Sequence, residues 1–583
     1  MPSIRSSPGR AGDPMSLSEL TRIPTETAAM TTTPLLDVRG LSIALPPGAD
    51  RPLAVDNLTF TLNPDEILCV VGESGSGKSM TAHAMMGLLP APHVRVAGGS
   101  LLFKGKDVLA MPEAEQRSLR GGRIAMVFQE PMTALNPLMR VGRQIGESLR
   151  EHTDLPASAR RARVVELLAQ VGLPNPAELA EAYPFRLSGG QRQRVMIAMA
   201  LACQPDILIA DEPTTALDVT TQKQILDLIR SIQAERHMGM MFITHDFGVV
   251  AEIAHRVAVM RHGKLVEYGP ASDVLNRPQH PYTRQLIASV PHYIEHRDDH
   301  AKAGAPLLVA DKVRKVFHVG GGLFKKSKEV VAGDDLSLTI HPGETVGLVG
   351  ESGSGKSTLG RSIVGLIKPD SGRILFEGTD LLSLDRRGFR PYRRAVQMVF
   401  QDPYASLNPR HRVGDIVAQG PVAFGENRAK ALARARELLA MVGLDGSAAD
   451  RYPHEFSGGQ RQRIGIARAL AMEPKLLVAD EPVSALDVSV QGQVLELLDD
   501  IRKRLNLAML FITHDLRVAA QVCDTIAVMR RGRIVELGTA RQVFTHPRDA
   551  YTRSLLDAIP GKAWHIPDDL QQAKMGSGLA GAH

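Results

Sequence analysis

The octapeptide GESGSGKS occurs twice in this chain, at Gly72–Ser79 and at Gly350–Ser357, and it constrains the fold more than any other feature. Each copy fits G-x-x-x-x-G-K-[ST], a loop whose backbone N–H groups wrap the phosphates of a nucleotide. The two copies start 350 − 72 = 278 residues apart in a chain of 583 residues. Identical loops at that separation indicate an internal repeat of a whole nucleotide-binding domain and not a chance glycine-rich turn.

The chain around each loop predicts the strand–loop–helix context that a phosphate-binding loop requires. The first loop follows an apolar run, Ile67–Val71, and precedes a run compatible with a helix, Met80–Leu89. The second loop lies in the same way between Val346–Val349 and Leu359–Leu366. A helix that begins at the loop would direct the positive end of its dipole at the phosphates.

Each position of the loop has a predicted contact with the nucleotide. The glycines let the backbone curl inwards, the lysine reaches the β- and γ-phosphates, and the last serine ligates Mg²⁺. The residue after that serine would lie near the α-phosphate. The predicted binding residues are Gly72, Glu73, Ser74, Gly75, Ser76, Gly77, Lys78, Ser79 and Met80, and Gly350, Glu351, Ser352, Gly353, Ser354, Gly355, Lys356, Ser357 and Thr358.

A pair of acidic residues closes an apolar run downstream of each loop. Asp211 and Asp480 each end four apolar residues, a pattern typical of a buried parallel strand. A carboxylate at the end of such a strand can hold Mg²⁺ together with Ser79 or Ser357. The next residue, Glu212 or Glu481, is the predicted general base that polarises the attacking water.

Three more motifs follow both loops in the same order. A serine–glycine–glycine–glutamine motif precedes the aspartate by 23 residues in both halves (211 − 188 and 480 − 457), and a histidine follows the glutamate by 33 (245 − 212 and 514 − 481). The residues of these two motifs are Ser188, Gly189, Gly190, Gln191 and His245 in the first half, and Ser457, Gly458, Gly459, Gln460 and His514 in the second. The third motif comes earlier in each half and is a glutamine after Val-Phe, Gln129 or Gln401. Small residues at a helix start can bind an anion.

This series of motifs resembles the ATP-binding cassette of ABC transporters, from about Leu35 to Pro560. The SGGQ motif beside a phosphate-binding loop is highly specific to that family. The resemblance implies an α/β fold of two tandem P-loop NTPase domains. Each domain would have a mainly parallel sheet core, an antiparallel β subdomain and a helical lobe.

The resemblance also implies a role for each motif. The two histidines would contact the γ-phosphate, and Gln129 and Gln401 would touch Mg²⁺ and relay the state of the site to a membrane partner. Each SGGQ motif would serve the ATP held by the opposite cassette. Two ATP molecules would then lie head to tail in one interface, and no homodimer would be required.

Two residues suggest that the sites differ. Relatives place an aromatic residue that stacks on adenine about where Leu45 stands, and Phe317 is expected to fill that role in the second half. Met80 also replaces the hydroxyl residue that Thr358 retains. Both changes fall in the first site, which keeps Glu212 and His245. We therefore expect two hydrolytic sites of unequal ATP affinity.

Composition excludes several other classes of protein. No stretch of 18 apolar residues is present, so we expect no membrane span. The net charge is +6 and the isoelectric point is near 9.1, but the chain has no block of Lys and Arg residues. We therefore expect no nucleic-acid partner. Cys69, Cys203 and Cys523 are too few and too dispersed for a four-cysteine cluster, and they are typical of a reducing compartment.

The repeat and the composition shifts predict seven segments. They are a disordered tail at 1–33, a first ATPase domain at 34–275, a tail segment at 276–292, a linker at 293–306, a second ATPase domain at 307–541, a second tail segment at 542–561 and a loose end at 562–583.

The two tail segments predict a branch of the family. His280-Pro281-Tyr282-Thr283 and Ala550-Tyr551-Thr552 resemble the HPYT tail of ATPases that drive dipeptide, oligopeptide, glutathione and nickel import. This resemblance implies an ATP hydrolase that couples energy to a bacterial peptide importer, with ATP and Mg²⁺ as cofactors. Its partners would be two integral-membrane permease subunits and, through them, an extracytoplasmic solute-binding protein. It would lie peripherally on the cytoplasmic face of the inner membrane.

One alternative stays open at this point. Soluble proteins with two cassettes also act on the ribosome, although they usually carry a longer, charged linker. The sequence does not identify the solute, because the permeases and the binding protein would select it.

Overall fold

Two sheets of different character make up the core of the first repeat. The computed structural model describes residues 33–215, 217–291, 304–319, 328–484 and 486–570. Both repeats belong to one unit that begins at Pro34. The strands of the first repeat are β1 Leu36–Ala44, β2 Leu53–Leu62, β3 Ile67–Val71, β4 Arg95–Phe103, β5 Lys106–Asp107, β6 Ile124–Val127, β7 Ile207–Asp211, β8 Gly239–Ile243, β9 Arg256–Arg261 and β10 Lys264–Pro270.

The phosphate-binding loop leaves the inner part of the six-stranded sheet. Its order is β10-β9-β3-β8-β7-β6, and every pair is parallel except β9 with β10. β3, which precedes the first loop, is buried along its whole length, and its side chains pack alternately into two hydrophobic cores. Cys69 and Val71 pack on one face with the helices, while Leu68 and Val70 pack on the other. A strand covered on both faces explains its unbroken apolar sequence.

A four-stranded antiparallel sheet, β2-β1-β4-β5, covers the second face. The first face is covered by helices, some of which form a separate lobe between β6 and β7. The helices of the first repeat are α1 Lys78–Met85, α2 Glu113–Leu119, α3 Pro131–Ala134, α4 Val141–His152, α5 Ala157–Gln170, α6 Pro176–Ala180, α7 Gly189–Ala200, α8 Val219–Arg236, α9 Phe247–Ile253, α10 Ala271–Asn276 and α11 Pro281–Ala288.

The second repeat has the same topology. Its sheets have the orders β12-β11-β14-β15 and β16-β17-β18-β13-β19-β20, where the strands are β11 Leu308–Val319, β12 Lys328–Ile340, β13 Thr345–Val349, β14 Ser371–Phe376, β15 Thr379–Asp380, β16 Val396–Val399, β17 Leu476–Asp480, β18 Ala508–Thr513, β19 Thr525–Arg530 and β20 Arg533–Thr539. Its helices are α12 Lys356–Ile363, α13 Tyr392–Ala395, α14 Pro403–Ser406, α15 Val413–Ala423, α16 Arg428–Met441, α17 Gly458–Leu470, α18 Val488–Leu505, α19 Leu516–Val522, α20 Ala540–Thr545 and α21 Ala550–Asp557.

The predicted fold class is therefore confirmed, with a parallel core, an antiparallel subdomain and a helical lobe in each repeat. The helices after the phosphate loops differ from the sequence expectation. They begin at Lys78 and Lys356, inside the loop motif, and end at Met85 and Ile363. Helix formation starts early because the glycine before each lysine adopts the left-handed conformation that caps the helix.

The predicted loose end is wrong for residues 562–570. Ile566 and Leu570 are buried in the core of the first repeat, and the indole N–H of Trp564 donates to Asn276 Oδ1 at 3.2 Å. Arg284 also pairs with Asp569 at 2.7 Å. This contact could not be predicted from the sequence, because only three widely spaced apolar side chains in an otherwise polar segment provide the packing. The chain end thus crosses from the second repeat to the first.

Several expectations lie outside the described residues. They are residues 1–32 of the tail predicted at 1–33, residues 293–303 of the linker predicted at 293–306, and residues 571–583 of the loose end predicted at 562–583. In the described part of the chain, no helix is both long and apolar enough to cross a membrane. Cys69 and Cys523 are buried, Cys203 is partly buried, and all three are free thiols, as expected for core residues.

Candidate functional site

Each phosphate loop is closed around its own lysine. Lys78 Nζ donates to the carbonyl oxygens of Gly72 and Glu73 at 2.7 and 2.8 Å. Lys356 Nζ makes the same contacts with Gly350 and Glu351 at 2.7 and 2.9 Å. An ammonium group held by carbonyl oxygens at the mouth of an anion-binding loop can exchange those contacts for phosphate oxygens.

Glycine is required in the loop because other backbone approaches it closely. Gly77 has a φ of 104° and Gly355 a φ of 106°. A Cβ on Gly77 would lie 2.6 Å from the carbonyl oxygen of Ala54, and one on Gly355 would lie 1.9 Å from that of Ala332. The antiparallel sheet thus supports the loop from below, so a side chain at either position would displace it.

The serine that ends each loop meets the aspartate predicted to act with it. Ser79 Oγ donates to Asp211 Oδ1 at 3.1 Å, and Ser357 Oγ donates to Asp480 Oδ1 at 2.8 Å. Burial raises the pKa of both aspartates, and the serine hydrogen bonds oppose that shift. Asp480 Oδ2 is buried and accepts no hydrogen bond from the described residues, although Arg361 lies 3.9 Å away. A buried oxygen without a hydrogen bond fits a site for a cation.

The predicted base of the first site is held by three side chains. Gln129 Nε2 and Thr215 Oγ1 each donate to Glu212 Oε2 at 2.9 Å, and His245 Nδ1 lies 3.3 Å from the same oxygen. The second site repeats two of these contacts: Gln401 Nε2 donates to Glu481 Oε2 at 2.8 Å, and His514 Nδ1 lies at 3.3 Å. The structure therefore brings the predicted glutamine, glutamate and histidine together in both halves.

These contacts form an ion pair in each site. Burial by itself raises the pKa of Glu212 and Glu481, but the hydrogen bond and charge of the neighbouring histidine lower the pKa of each glutamate. Burial lowers the pKa of His245 and His514, but the glutamate outweighs it and raises the pKa of each histidine. Both shifts favour the charged forms, so an ionised glutamate faces a histidine that is protonated more readily than a free imidazole.

Both glutamates occupy strained backbone. Glu212 has a φ of 44° and Glu481 a φ of 47°, which is unusual for a residue with a side chain. Each follows the last residue of a buried strand and donates its N–H to the neighbouring strand, to Ile243 O at 3.0 Å and to Ile512 O at 2.9 Å. The sheet holds the strained conformation in place, and such strain is typical of functional sites.

The SGGQ motifs begin α7 and α17, as expected. Ser188 caps α7 and Ser457 caps α17, and in both cases the glutamine three residues later bonds back to the serine N–H. The second glycine is required by packing, because a Cβ on Gly190 would lie 2.5 Å from Thr221 and one on Gly459 would lie 2.3 Å from Val490. Both serines are exposed and available to a ligand.

The two cassettes contact each other through segments that follow the acidic pairs. Thr220 Oγ1 donates to Glu351 Oε1 in the second phosphate loop at 3.0 Å. In the reciprocal contact, Ser489 Oγ donates to Glu73 Oε1 in the first loop. Val219 is buried in the core of the second cassette, and Val488 is buried in that of the first. The contacts are therefore exchanged between the halves, as in a head-to-tail pair.

These contact residues had no predicted role. The repeated Ala-Leu-Asp motif ends at Asp218 and Asp487, directly before them, and its recurrence was the available signal. The charge of Asp487 also acts on Lys78, and that of Asp218 acts on Lys356. Burial lowers the pKa of both lysines, and these aspartates from the other cassette are among the charges that oppose the shift.

The structure places the residues of the predicted asymmetry near the loops. Phe317 lies on β11 and is 36% exposed, with Lys315 Nζ 5.5 Å from its ring centre. Its cross-strand neighbour is Val330, two residues before the Ala332 that contacts Gly355. Leu45 and Met80 instead pack partly buried against the core of the first repeat. Phe317 thus lies on the strand that pairs with β12, the strand whose Ala332 approaches the second loop.

Comparison with known proteins agrees with this geometry. The ABC transporter family matches residues 55–215 and 333–484, and the family described as oligopeptide/dipeptide transporter, C-terminal region, matches 266–317 and 535–574. The chain belongs to the ABC transporter family, and it is an ATPase with two cassettes.

Curated relatives cover almost the whole chain. A peptidoglycan transport ATP-binding protein of Agrobacterium fabrum is 48% identical over 90% of this chain and 96% of its own length. A glutathione import ATP-binding protein of Escherichia coli O157:H7 is 46% identical over 90% of this chain and 89% of its own. A solved ATP-binding cassette bound to ADP and Pi aligns with 40% of this chain and 99% of its own, at 29% identity and a TM-score of 0.37.

Proposed function

We propose that this protein is the ATP-hydrolysing, energy-coupling subunit of a bacterial importer of peptides or of peptide-like solutes such as glutathione. The observation that carries the proposal is the presence of two complete phosphate sites, joined by reciprocal contacts, in a chain that also has both transporter tails. The relatives' functions in peptidoglycan transport and glutathione import support transport over the alternative of action on the ribosome.

One ATP would lie between each phosphate loop and the SGGQ motif of the other cassette. The contact from Ser489 to Glu73 supports this arrangement, because it brings the start of α18 to the first loop. Lys78 would exchange the carbonyl oxygens of its own loop for the β- and γ-phosphates. The exposed Ser457 would approach the same phosphates from the other side, with its helix dipole favouring the negative charge.

Binding of ATP would release the general base. In the structure, Glu212 lies 3.3 Å from His245 and accepts hydrogen bonds from Gln129 and Thr215. A γ-phosphate near His245 would attract the imidazolium away from the carboxylate. The pKa of Glu212 would then rise towards its usual range, which makes the carboxylate a better proton acceptor for the attacking water.

The residues present fit a magnesium ion. Ser79, Asp211 and Gln129 in the first site, and Ser357, Asp480 and Gln401 in the second, would hold it. No group of three or more His, Cys, Asp or Glu side chains that could hold a metal occurs among the described residues, so phosphate oxygens would have to complete the shell. Mg²⁺ would supply neutralisation of the phosphate charge.

The helical lobe of the first cassette offers a site for a permease subunit. A groove of about 630 Å³ lies between α4, α5 and α6, and Leu138 at its rim is 88% exposed. Five arginines and two glutamates line the groove, so its charge complements an acidic amphipathic helix. Only eight residues separate Leu138 from Gln129, which contacts Glu212. A permease helix in this groove would therefore sense the state of the ATP site.

We propose that two permease subunits bind in this way, one to each cassette, and that a solute-binding protein delivers the solute to them. The protein would then lie on the cytoplasmic face of the inner membrane.

Co-expression with any permease subunits and binding protein that neighbouring genes encode tests the proposal. The intact protein should co-purify with two polytopic proteins and hydrolyse ATP in a way that the binding protein stimulates. Leu138→Glu should reduce co-purification while leaving the ATPase activity of the isolated subunit unchanged. Association with ribosomes instead of membranes would overturn the proposal.

A further inference from the structure

Each phosphate loop contacts a tyrosine from the tail segment of its own half. The backbone N–H of Glu73 donates to the hydroxyl of Tyr282 at 3.2 Å. In the second half, the N–H of Glu351 donates to the hydroxyl of Tyr551 at 3.3 Å. These contacts join residues that are 209 and 200 positions apart, and they recur independently in two halves of the chain. In the sequence, the two tyrosines indicate only the branch of the family to which the chain is similar.

Other contacts of the tail hold the two tyrosine rings in place. Tyr282 and Tyr551 are buried among the core residues of their own halves. The guanidinium of Arg261 lies 4.7 Å from the ring centre of Tyr282, and that of Arg530 lies 4.6 Å from that of Tyr551. The hydroxyl groups therefore cannot turn freely away from the loops.

A carboxylate anchors the turn before each tail helix. Glu267 accepts hydrogen bonds from the N–H groups of Gln279 and His280, at 2.8 and 3.1 Å. Glu536 accepts the equivalent bonds from Arg548 and Asp549, also at 2.8 and 3.1 Å. Each turn is thus fixed to the strand at the edge of the main sheet, β10 or β20, and the tail docks in the same way on both cassettes.

The glutamate that receives each tyrosine is a junction of three contacts. Its N–H binds the tail, its carbonyl oxygen accepts from the lysine of the loop, and its carboxylate accepts from a hydroxyl of the opposite cassette. For Glu351 these partners are Tyr551, Lys356 and Thr220, at 3.3, 2.9 and 3.0 Å. Glu73 has Tyr282, Lys78 and Ser489 in the same positions.

We propose that Tyr282 and Tyr551 are positioning residues for the two ATP sites, which set the start of each phosphate loop for contact with ATP and with the opposite cassette. The inference rests on the proposed function of these loops as ATP sites. The tyrosine hydroxyl groups meet the loops at the N–H groups of Glu73 and Glu351, so they would act through these two residues.

The physical reason is the cost of an unpaired donor. Without the tyrosine hydroxyl, the partly buried N–H of Glu73 loses its acceptor, and the loop can satisfy it only by changing the peptide plane between Gly72 and Glu73. That plane carries the Gly72 carbonyl oxygen that Lys78 contacts. The pKa of both tyrosines is raised to about 12, chiefly by burial, so the hydroxyl groups stay neutral at working pH.

The first test uses the full chain and isolates one ATP site at a time. In a Lys356→Ala background, Tyr282→Phe should raise the dissociation constant of labelled Mg·ATP at the first site. We expect the dissociation constant to increase about two- to twelvefold. This range corresponds to the loss of one hydrogen bond with a net contribution of ~0.5–1.5 kcal/mol. In a Lys78→Ala background, Tyr551→Phe should have the same effect at the second site. In the otherwise unchanged chain, the double Tyr→Phe variant should raise KM for ATP by more than it lowers kcat.

Tyr268→Phe is the matched control. The Tyr268 hydroxyl also bonds to backbone in the first half, to Thr61 O at 3.2 Å, but on the edge strand β10. It should leave the dissociation constant of Mg·ATP unchanged even where it lowers the melting temperature.

A third comparison tests whether the tyrosine acts through Glu73. In the Lys356→Ala background, the effects of Tyr282→Phe and Ser489→Ala on ATP affinity should be less than additive, since both act on that residue. Fully additive effects would count against a shared route.

The outcomes separate the inference from the function on which it rests. If Tyr282→Phe and Tyr551→Phe lower only the melting temperature and leave ATP affinity unchanged, the hydroxyl groups are structural and the inference is overturned. If the unmodified chain binds no Mg·ATP, the proposed function fails as well.

Discussion

The guanidinium of Arg517 in the second cassette holds the carboxylate of Asp246 in the first through two hydrogen bonds of 2.9 and 2.8 Å. The corresponding position in the first cassette is Gly248, where a Cβ would lie 2.6 Å from the Arg517 guanidinium. The bridge therefore exists in one direction only, and its two residues line the same cavity as His245 and His514. The difference between His-Asp-Phe-Gly and His-Asp-Leu-Arg in the sequence was its only signal.

Loss of this bridge should destabilise the contact between the cassettes. Arg517→Ala leaves Asp246 largely buried without its partner, which we expect to cost about 3 kcal/mol, because a broken buried pair leaves an uncompensated charge. Chemical unfolding followed by fluorescence measures the loss. Arg436→Ala, which breaks an exposed pair with Asp450, is the control and should cost less than about 1 kcal/mol. Equal effects of the two variants would contradict the prediction.

The same pair predicts how stability depends on acid. Burial would raise the pKa of Asp246, but the charge and hydrogen bonds of Arg517 lower it to about 2. A carboxylate with a lowered pKa contributes stability that is present above its unfolded pKa, near 3.9, and is lost as the pH falls through 2. Melting temperatures between pH 5 and pH 2.5 should fall less steeply for Asp246→Asn than for the unmodified chain. Parallel curves would show that Asp246 does not contribute.

The assignment of the general base can be tested at both sites, because Glu212 and Glu481 make matching contacts. Glu481→Gln should leave ATP binding nearly intact and slow hydrolysis at its site by about 10²–10⁴-fold, the usual contribution of general base catalysis. With Glu212→Gln as well, the protein should accumulate in a closed form loaded with ATP. Single-turnover kinetics and retention of labelled ATP check this. Substantial turnover by the double variant would exclude both glutamates as the base.

The head-to-tail arrangement predicts that a mutation acts on the other half. Ser457→Arg puts a bulky cation at the start of α17, where it should impair hydrolysis at the site of Lys78 without preventing initial binding there. Ser188→Arg should do the same to the site of Lys356. Site-resolved crosslinking of a photoreactive ATP analogue distinguishes the sites. A defect confined to the mutated half would be incompatible with the exchanged contacts of Thr220 and Ser489.

Unequal affinity follows from the residues around the two adenine positions. Phe317 in the second half is 36% exposed, whereas Leu45 in the first half is partly buried. Base–aromatic stacking contributes about 1–3 kcal/mol in nucleic-acid sites, so we expect at least a several-fold weaker first site. ATP titrations of Lys78→Ala and Lys356→Ala measure each site alone. Adding Phe317→Leu should bring the ATP affinities of the two sites closer together. Equal affinities of the two sites without that substitution would contradict the prediction.

The repeat and the fold class could be predicted from the sequence alone, and so could the residues that the structure brings together around each phosphate loop. The reason is local: a loop that wraps phosphate needs glycines at set positions, and a strand buried on both faces must be apolar. The lysine, serine, aspartate, glutamate, glutamine and histidine of each half could be predicted because they recur at nearly fixed intervals. Their roles in catalysis stay predictions until the variants above are measured.

The segments of the two halves that contact each other could be identified only in the folded chain. Thr220 and Ser489 are ordinary hydroxyl residues in the sequence, and only the packing of α8 and α18 places them on Glu351 and Glu73. The tyrosine contacts span about 200 residues, and the chain end reaches the other cassette through a few isolated apolar side chains. Neither residue of such a contact identifies its partner in the sequence, because long-range packing of already formed elements brings the two together.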